Sequence, residues 1–154
     1  MFENERNYAQ AVEALKPLLH DLPGKIVAIG GPPGVGKTTL GRFLAYRFNV
    51  SLIETDLFLI RNQGVLIYNH DCIEQIIAAR LDKPDPTRQR PVLIEGAAVL
   101  RLLEAVGRRA DFIIHVTSAD APENPDPLAK DLKDYEARYS PASKADLHLH
   151  FDPE

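Results

Sequence analysis

Gly31-Pro32-Pro33-Gly34-Val35-Gly36-Lys37-Thr38 carries the spacing G-x-x-x-x-G-K-[ST] at every position. Its glycines let the backbone bend around phosphate oxygens with several N–H groups turned inward. Gly31, Gly34, Val35 and Gly36 would form that cradle, and Thr39 would continue it into the helix that follows. That helix adds the positive end of its dipole. Lys37 has the reach for the β and γ phosphates, and the Thr38 hydroxyl is of the type that ligates Mg²⁺. The segment stands between a short apolar run and an amphipathic stretch, which is where such a loop belongs. A site for a nucleoside triphosphate, ATP with GTP left open, is the chemistry this pattern predicts.

Two further carboxylates stand where such a site needs them. Ile53-Glu54-Thr55-Asp56-Leu57-Phe58 follows the loop by one helix and one strand. Across an open sheet this places Asp56 toward the γ-phosphate, as a base for a substrate hydroxyl. The plainer alternative is a solvated loop aspartate or a helix cap. Val92-Leu93-Ile94-Glu95-Gly96 ends an apolar run on an acid suited to supporting the Mg²⁺ shell. A strand-end carboxylate bonded to a turn would look the same. Lys37, Asp56 and Glu95 are therefore the expected catalytic residues, with Thr38 and Glu95 at the metal. Arg61, Asn69 and His70, near apolar Leu66, Ile67 and Tyr68, are the expected grip on a small polyol or ring, beside Asp56. Helix capping explains Asn69 and Asp71 equally well.

The elements that must hold these residues follow from periodicity. Tyr8, Val12, Leu15, Leu18, Leu19 and Leu22 recur every three or four residues, predicting a helix over about 4–20 on the outside of the fold; Pro17 should kink it or end it near Lys16. Apolar runs at 25–29, 50–53, 91–94 and 111–116, and alternation over 145–151, predict five strands. Helices are predicted after the loop, after an Asp71/Glu74 capping box, around Val99 to Val106, and from an Asp126 cap with Pro127 at the first helical position. Alternating strands and helices give right-handed βαβ units and a parallel sheet, whose ligands bind beyond the carboxyl ends of the strands.

Composition removes other classes. The chain has 154 residues, 18 Lys+Arg against 22 Asp+Glu, and a formal charge of −4, so it lacks the basic excess of a nucleic-acid or anionic-membrane binder. No run reaches the roughly 18 apolar residues of a membrane span. The polar N-terminus does not read as a signal peptide, and the single Cys72 fits a reducing compartment. A cytoplasmic protein, monomeric or homodimeric, is expected. Cys72 is expected to pack rather than react. Asp146, His148, His150 and Asp152, spaced by two, read as a solvated edge-strand face rather than a metal site.

From the phosphate loop through Glu54-Thr55-Asp56, the chain resembles the P-loop small-molecule kinases, most of all the uridine kinase-like group, with shikimate and gluconate kinases as cousins. Asp56-Leu57-Phe58 is similar to the D-x-F of uridine kinases, whose aspartate is the catalytic base. The resemblance covers about residues 24–151. It implies a three-layer α/β fold in a single domain, 1–154, with sheet order 2-3-1-4-5 and residues 1–22 as a helical extension. It also implies transfer of the γ-phosphoryl of Mg·ATP to a hydroxyl of a nucleoside- or sugar-like metabolite. The chain departs from the group at 117–127: this Pro-rich segment holds no arginine where uridine kinases carry an arginine-rich lid. A nucleotide-binding regulatory module with little transfer is the alternative this departure supports.

Overall fold

The computed structural model describes residues 2–125 and 127–152. Five strands, β1 (Ile26–Gly30), β2 (Ser51–Glu54), β3 (Val92–Glu95), β4 (Phe112–Ser118) and β5 (Leu147–Phe151), form one sheet in the order β2-β3-β1-β4-β5. Every pairing is parallel, with Ile29 beside Glu95 and Gly30 beside His115. β1 is central and buried along its whole length, which is why it reads as an unbroken apolar run.

The pleat divides β1 between two cores. Val27 and Ile29 face α1 (Phe2–Leu18) and α2 (Lys37–Phe48), together with Leu93, Ile114, Val116 and Leu149. Ile26 and Ala28 face α3 (His70–Leu81) and α4 (Val99–Ala105), with Ile53, Val92 and Ile94. α5 (Leu128–Tyr139) and the short α6 (Pro141–Lys144) lie on the second side, where Tyr135 and Tyr139 stack at 5.2 Å. The three-layer parallel fold and its strand order are those the sequence led us to expect.

Four local expectations change. α1 packs as the added outer helix, with Ala11, Val12, Leu15 and Leu19 buried against the sheet and α2. It ends at Leu18, one residue past Pro17, because a proline in a last turn removes a single hydrogen bond. The cap of α3 is Asn69, whose Oδ1 accepts from the Cys72 N–H at 3.3 Å, rather than Asp71; Glu74 instead meets Arg108 at 2.8 Å. Cys72 is exposed, since the buried face of this helix runs through Ile73 and Ile77. Pro127 sits at the cap position of α5 rather than inside it, and the expected Asp126 cap lies outside the described residues. α6, whose first residue is Pro141, was not foreseen.

Candidate active site

The loop between β1 and α2 begins where β1 runs out at the carboxyl edge of the sheet. Gly31, at φ +145°, lies so close to β4 that a Cβ there would stand 2.1 Å from the Val116 carbonyl oxygen. Gly36 caps α2 without a side-chain bond, leaving the first-turn N–H groups for a ligand. Lys37 is 7% exposed and its Nζ donates to the Pro32 carbonyl at 2.7 Å, which holds the ammonium across the mouth of the loop. Burial lowers its pKa, while the carboxylates of Glu95 and Asp56 act in the opposite sense.

Register sets the second group. Ile29 pairs with Glu95 across the β1–β3 ladder, so the acid at the end of β3 stands beside the start of the loop. The Thr38 hydroxyl donates to Glu95 Oε1 at 2.9 Å. Glu95 is 2% exposed, and burial raises its pKa against the lowering effects of the Thr38 bond and Lys37. A buried carboxylate and a hydroxyl at hydrogen-bond distance fit Mg²⁺, which takes one or two protein oxygens and completes its shell with phosphates and water. Among the described residues no cluster of three or more His, Cys, Asp or Glu could hold a metal without such help.

β2 then delivers Asp56. The chain leaves β2 in a 3₁₀ turn, Thr55–Phe58, with Thr55 buried and Asp56 exposed to the cleft. Glu54 is not its partner: it is held by Arg42 at 2.7 Å and 3.2 Å. A cleft of about 580 Å³ collects Lys37, Thr38, Thr39, Asp56, Arg61 and Glu95. Leu59, Leu66, Ala97 and Leu128 supply its apolar side.

Arg61 and His70 part company. Residues 59–68 fold as a small antiparallel loop, with a Leu59–Tyr68 bridge and the Ile60 N–H donating to the Ile67 carbonyl at 2.8 Å. Arg61 lines the cleft, whereas His70 lies against a separate hollow with Val65, Ile67 and Arg101. Asn69 is engaged as a helix cap. Of the expected grip, the fold therefore brings only Arg61 to Asp56, because the chain turns into α3 immediately after Tyr68. An anchor that the sequence pattern does not show holds this loop. Arg101 of α4 makes a two-pronged bond to Asp131 of α5 at 3.0 Å and 2.9 Å, and Asp131 accepts the Leu66 N–H at 3.0 Å. Nothing in spacing could reveal it, since the partners come from three elements. Tyr68 is buried behind this loop, and burial pushes its hydroxyl up to about 12.

Solved structures of other proteins share this fold. The structure of a possible uridine kinase from Bacillus stearothermophilus superposes with a TM-score of 0.66 at 14% identity, covering 94% of this chain and 98% of that one. The chain has the P-loop small-molecule kinase fold. A sugar kinase from Janibacter sp. aligns with a TM-score of 0.50 at 17% identity, over 84% of this chain and 86% of that one. The model of the ATPase family associated with various cellular activities (AAA) matches residues 27–94, the stretch from β1 to β3 that carries the loop. A shikimate kinase from Corynebacterium diphtheriae is 49% identical over 39 residues, 25% of this chain. The match spans only 22% of that enzyme. In this P-loop kinase fold the segment after β4 lies on the loop itself, with Pro122 against Gly34. Arg138 faces Glu104 at 3.4 Å, outside the lining of the cleft.

Proposed function

We propose that the protein transfers the γ-phosphoryl group of Mg·ATP to a hydroxyl of a small nucleoside- or sugar-like metabolite. The observation that carries this reading is the convergence of Lys37, Thr38, Glu95 and Asp56 on one cleft with open volume beside Asp56. Mg²⁺ would be held by Thr38 and, directly or through water, Glu95, and its charge would offset that of the β and γ oxygens. The loop amides bind the phosphates, and Lys37 exchanges the Pro32 carbonyl for a phosphate oxygen. Asp56 accepts the hydroxyl proton as the acceptor oxygen forms its bond to phosphorus and ADP departs. Arg61 and the apolar wall of Leu59, Leu66 and Leu128 orient the acceptor. Rate would come from positioning and from charge placed in advance.

One feature favours a second reading, a nucleotide-binding module with little transfer: the segment 117–127 holds no arginine. Arg61 is the guanidinium that lines the cleft among the described residues. An arginine at the transferring phosphate contributes about 10³–10⁵ in rate in enzymes that use one. Purified protein with Mg·ATP and a panel of hydroxylated metabolites, scored for ADP release above the acceptor-free background, separates the two. Transfer predicts release that depends on one acceptor class and is lost in Asp56→Asn, with ATP affinity kept within a few-fold. Tight ATP binding with no acceptor-dependent release across the panel would favour the module.

A further inference from the structure

The glycines of the phosphate loop are held by neighbours from distant parts of the chain. Gly31 is wedged against the Val116 carbonyl, and the ring of Pro122 lies against the place of a Gly34 side chain. At the far end of the loop the neighbour comes from the last strand. Phe151 Cδ2 and Cε2 stand 3.1 Å and 3.3 Å from the position that a Gly36 Cβ would take. The ring thus packs into the space of the missing side chain. Gly36, at φ +98°, is the left-handed cap from which α2 starts, and no side-chain capping bond holds it there among the described residues. A glycine left unsupported in such a conformation has many others open to it.

Phe151 is itself fixed. It is buried in the core that also takes Val35 and Leu40. Tyr8 of α1 meets its edge at 5.8 Å and stacks on Phe43 of α2 at 4.9 Å. One residue earlier, the His150 carbonyl accepts from Asn7 Nδ2 at 2.8 Å, and the His150 ring meets the Thr117 hydroxyl at 2.9 Å. The ring is therefore a firm stop. It ties Gly36 to β5 and, through Tyr8, to α1, neither of which belongs to the strand–loop–helix unit that carries the loop. A loop formed in advance has less conformational freedom to lose when a phosphate binds.

We propose that Phe151 is a positioning residue for phosphate binding, its ring holding Gly36 in the left-handed conformation so that the end of the loop at α2 is formed before the ligand arrives. This rests on the nucleotide-binding reading above. The test titrates Mg·ATP and Mg·tripolyphosphate into the full chain, Phe151→Leu and Phe43→Leu by calorimetry, with urea melts of all three. Phe43 belongs to the same aromatic group but lies beyond 4 Å from the Gly36 Cβ position, so its variant reports the effect of loosening the core alone. Phe151→Leu should weaken both ligands by about five- to thirtyfold, since one more backbone residue must be ordered on binding. Phe43→Leu should bind both within about twofold of wild type, even where the melts show a similar loss of stability. Unchanged binding in Phe151→Leu, or equal weakening in the two variants, overturns the proposal. A loss confined to ATP overturns it too, because tripolyphosphate carries no nucleoside and the ring would then act on the nucleoside alone. Failure of wild-type protein to bind either ligand overturns the nucleotide reading, and the proposal with it. A further measurement needs no variant. In ¹⁵N relaxation of the ligand-free protein, Gly36 should have an order parameter of about 0.85, as in rigid backbone, and a value below about 0.6 would overturn the proposal.

Discussion

Gly31→Ala should be among the most damaging single-methyl changes available to this chain, and the structure gives its size. The added Cβ would stand 2.1 Å from the Val116 carbonyl oxygen and 3.1 Å from its carbon, backbone atoms that no rotamer change can move. Restoring ordinary contact requires a displacement of about 1 Å, and a misplacement of that size in a reacting site can cost on the order of 10²-fold. The φ of +145° adds strain for a residue with a Cβ. Strained backbone of this kind costs about 1–3 kcal/mol and overpacking a further 1–3 kcal/mol, so a loss of roughly 2–6 kcal/mol is expected. Against a total of about 5–15 kcal/mol for an ordinary domain, that is a large share. Gly107→Ala is the control. Its φ is +73° and nothing lies within 4 Å of its Cβ position, so backbone strain of about 1–2 kcal/mol is its whole cost. Urea melts of both variants, with Mg·ATP titrations on each, make the comparison. Gly31→Ala should lose more stability than Gly107→Ala and also lose nucleotide binding, which Gly107→Ala keeps. Equal losses, or a Gly31→Ala protein that binds Mg·ATP as wild type does, would refute the argument that the loop is wedged against β4.

Three other outcomes are expected. Burial raises the Glu95 pKa, so the native state holds a proton more tightly than the unfolded chain, and ligand-free stability falls as pH rises from the ordinary value of 4.5 through the raised one. Glu95→Gln should flatten that slope in urea melts between about pH 4 and pH 8, be no less stable at neutral pH, and weaken Mg²⁺-dependent ATP binding; an unchanged slope would contradict the burial argument. Asp131→Ala should cost about 2–3 kcal/mol, because it leaves the half-buried Arg101 without its carboxylate and the Leu66 N–H without its acceptor, and should weaken acceptor binding more than ATP binding. Cys72 should react completely with a thiol reagent such as dithionitrobenzoate in native buffer, at a rate that denaturant barely changes; protection in the native state would place it inside the fold.

The sequence by itself determined the frame and the phosphate-binding end of the site. The loop from Gly31 to Thr38 is local in the chain, and its chemistry depends on backbone geometry that glycine, lysine and threonine specify wherever they occur at that spacing. The strand runs were legible because a sheet buried on both faces demands continuous apolar residues. Asp56 and Glu95 were legible because strands of this sheet all end on one side, so a carboxylate after an apolar run falls at that edge. Tertiary structure alone decided what depends on residues distant in the chain. It kept Arg61 at the cleft, turned His70 away, and tied Glu54 to Arg42 instead of the site. It joined Arg101, Asp131 and Leu66 into one anchor and set Phe151 of β5 against the phosphate loop. Periodicity reports which face of an element is buried, but not which neighbour it meets, and the direction of a side chain at the end of a turn is fixed only by the packing of the elements around it.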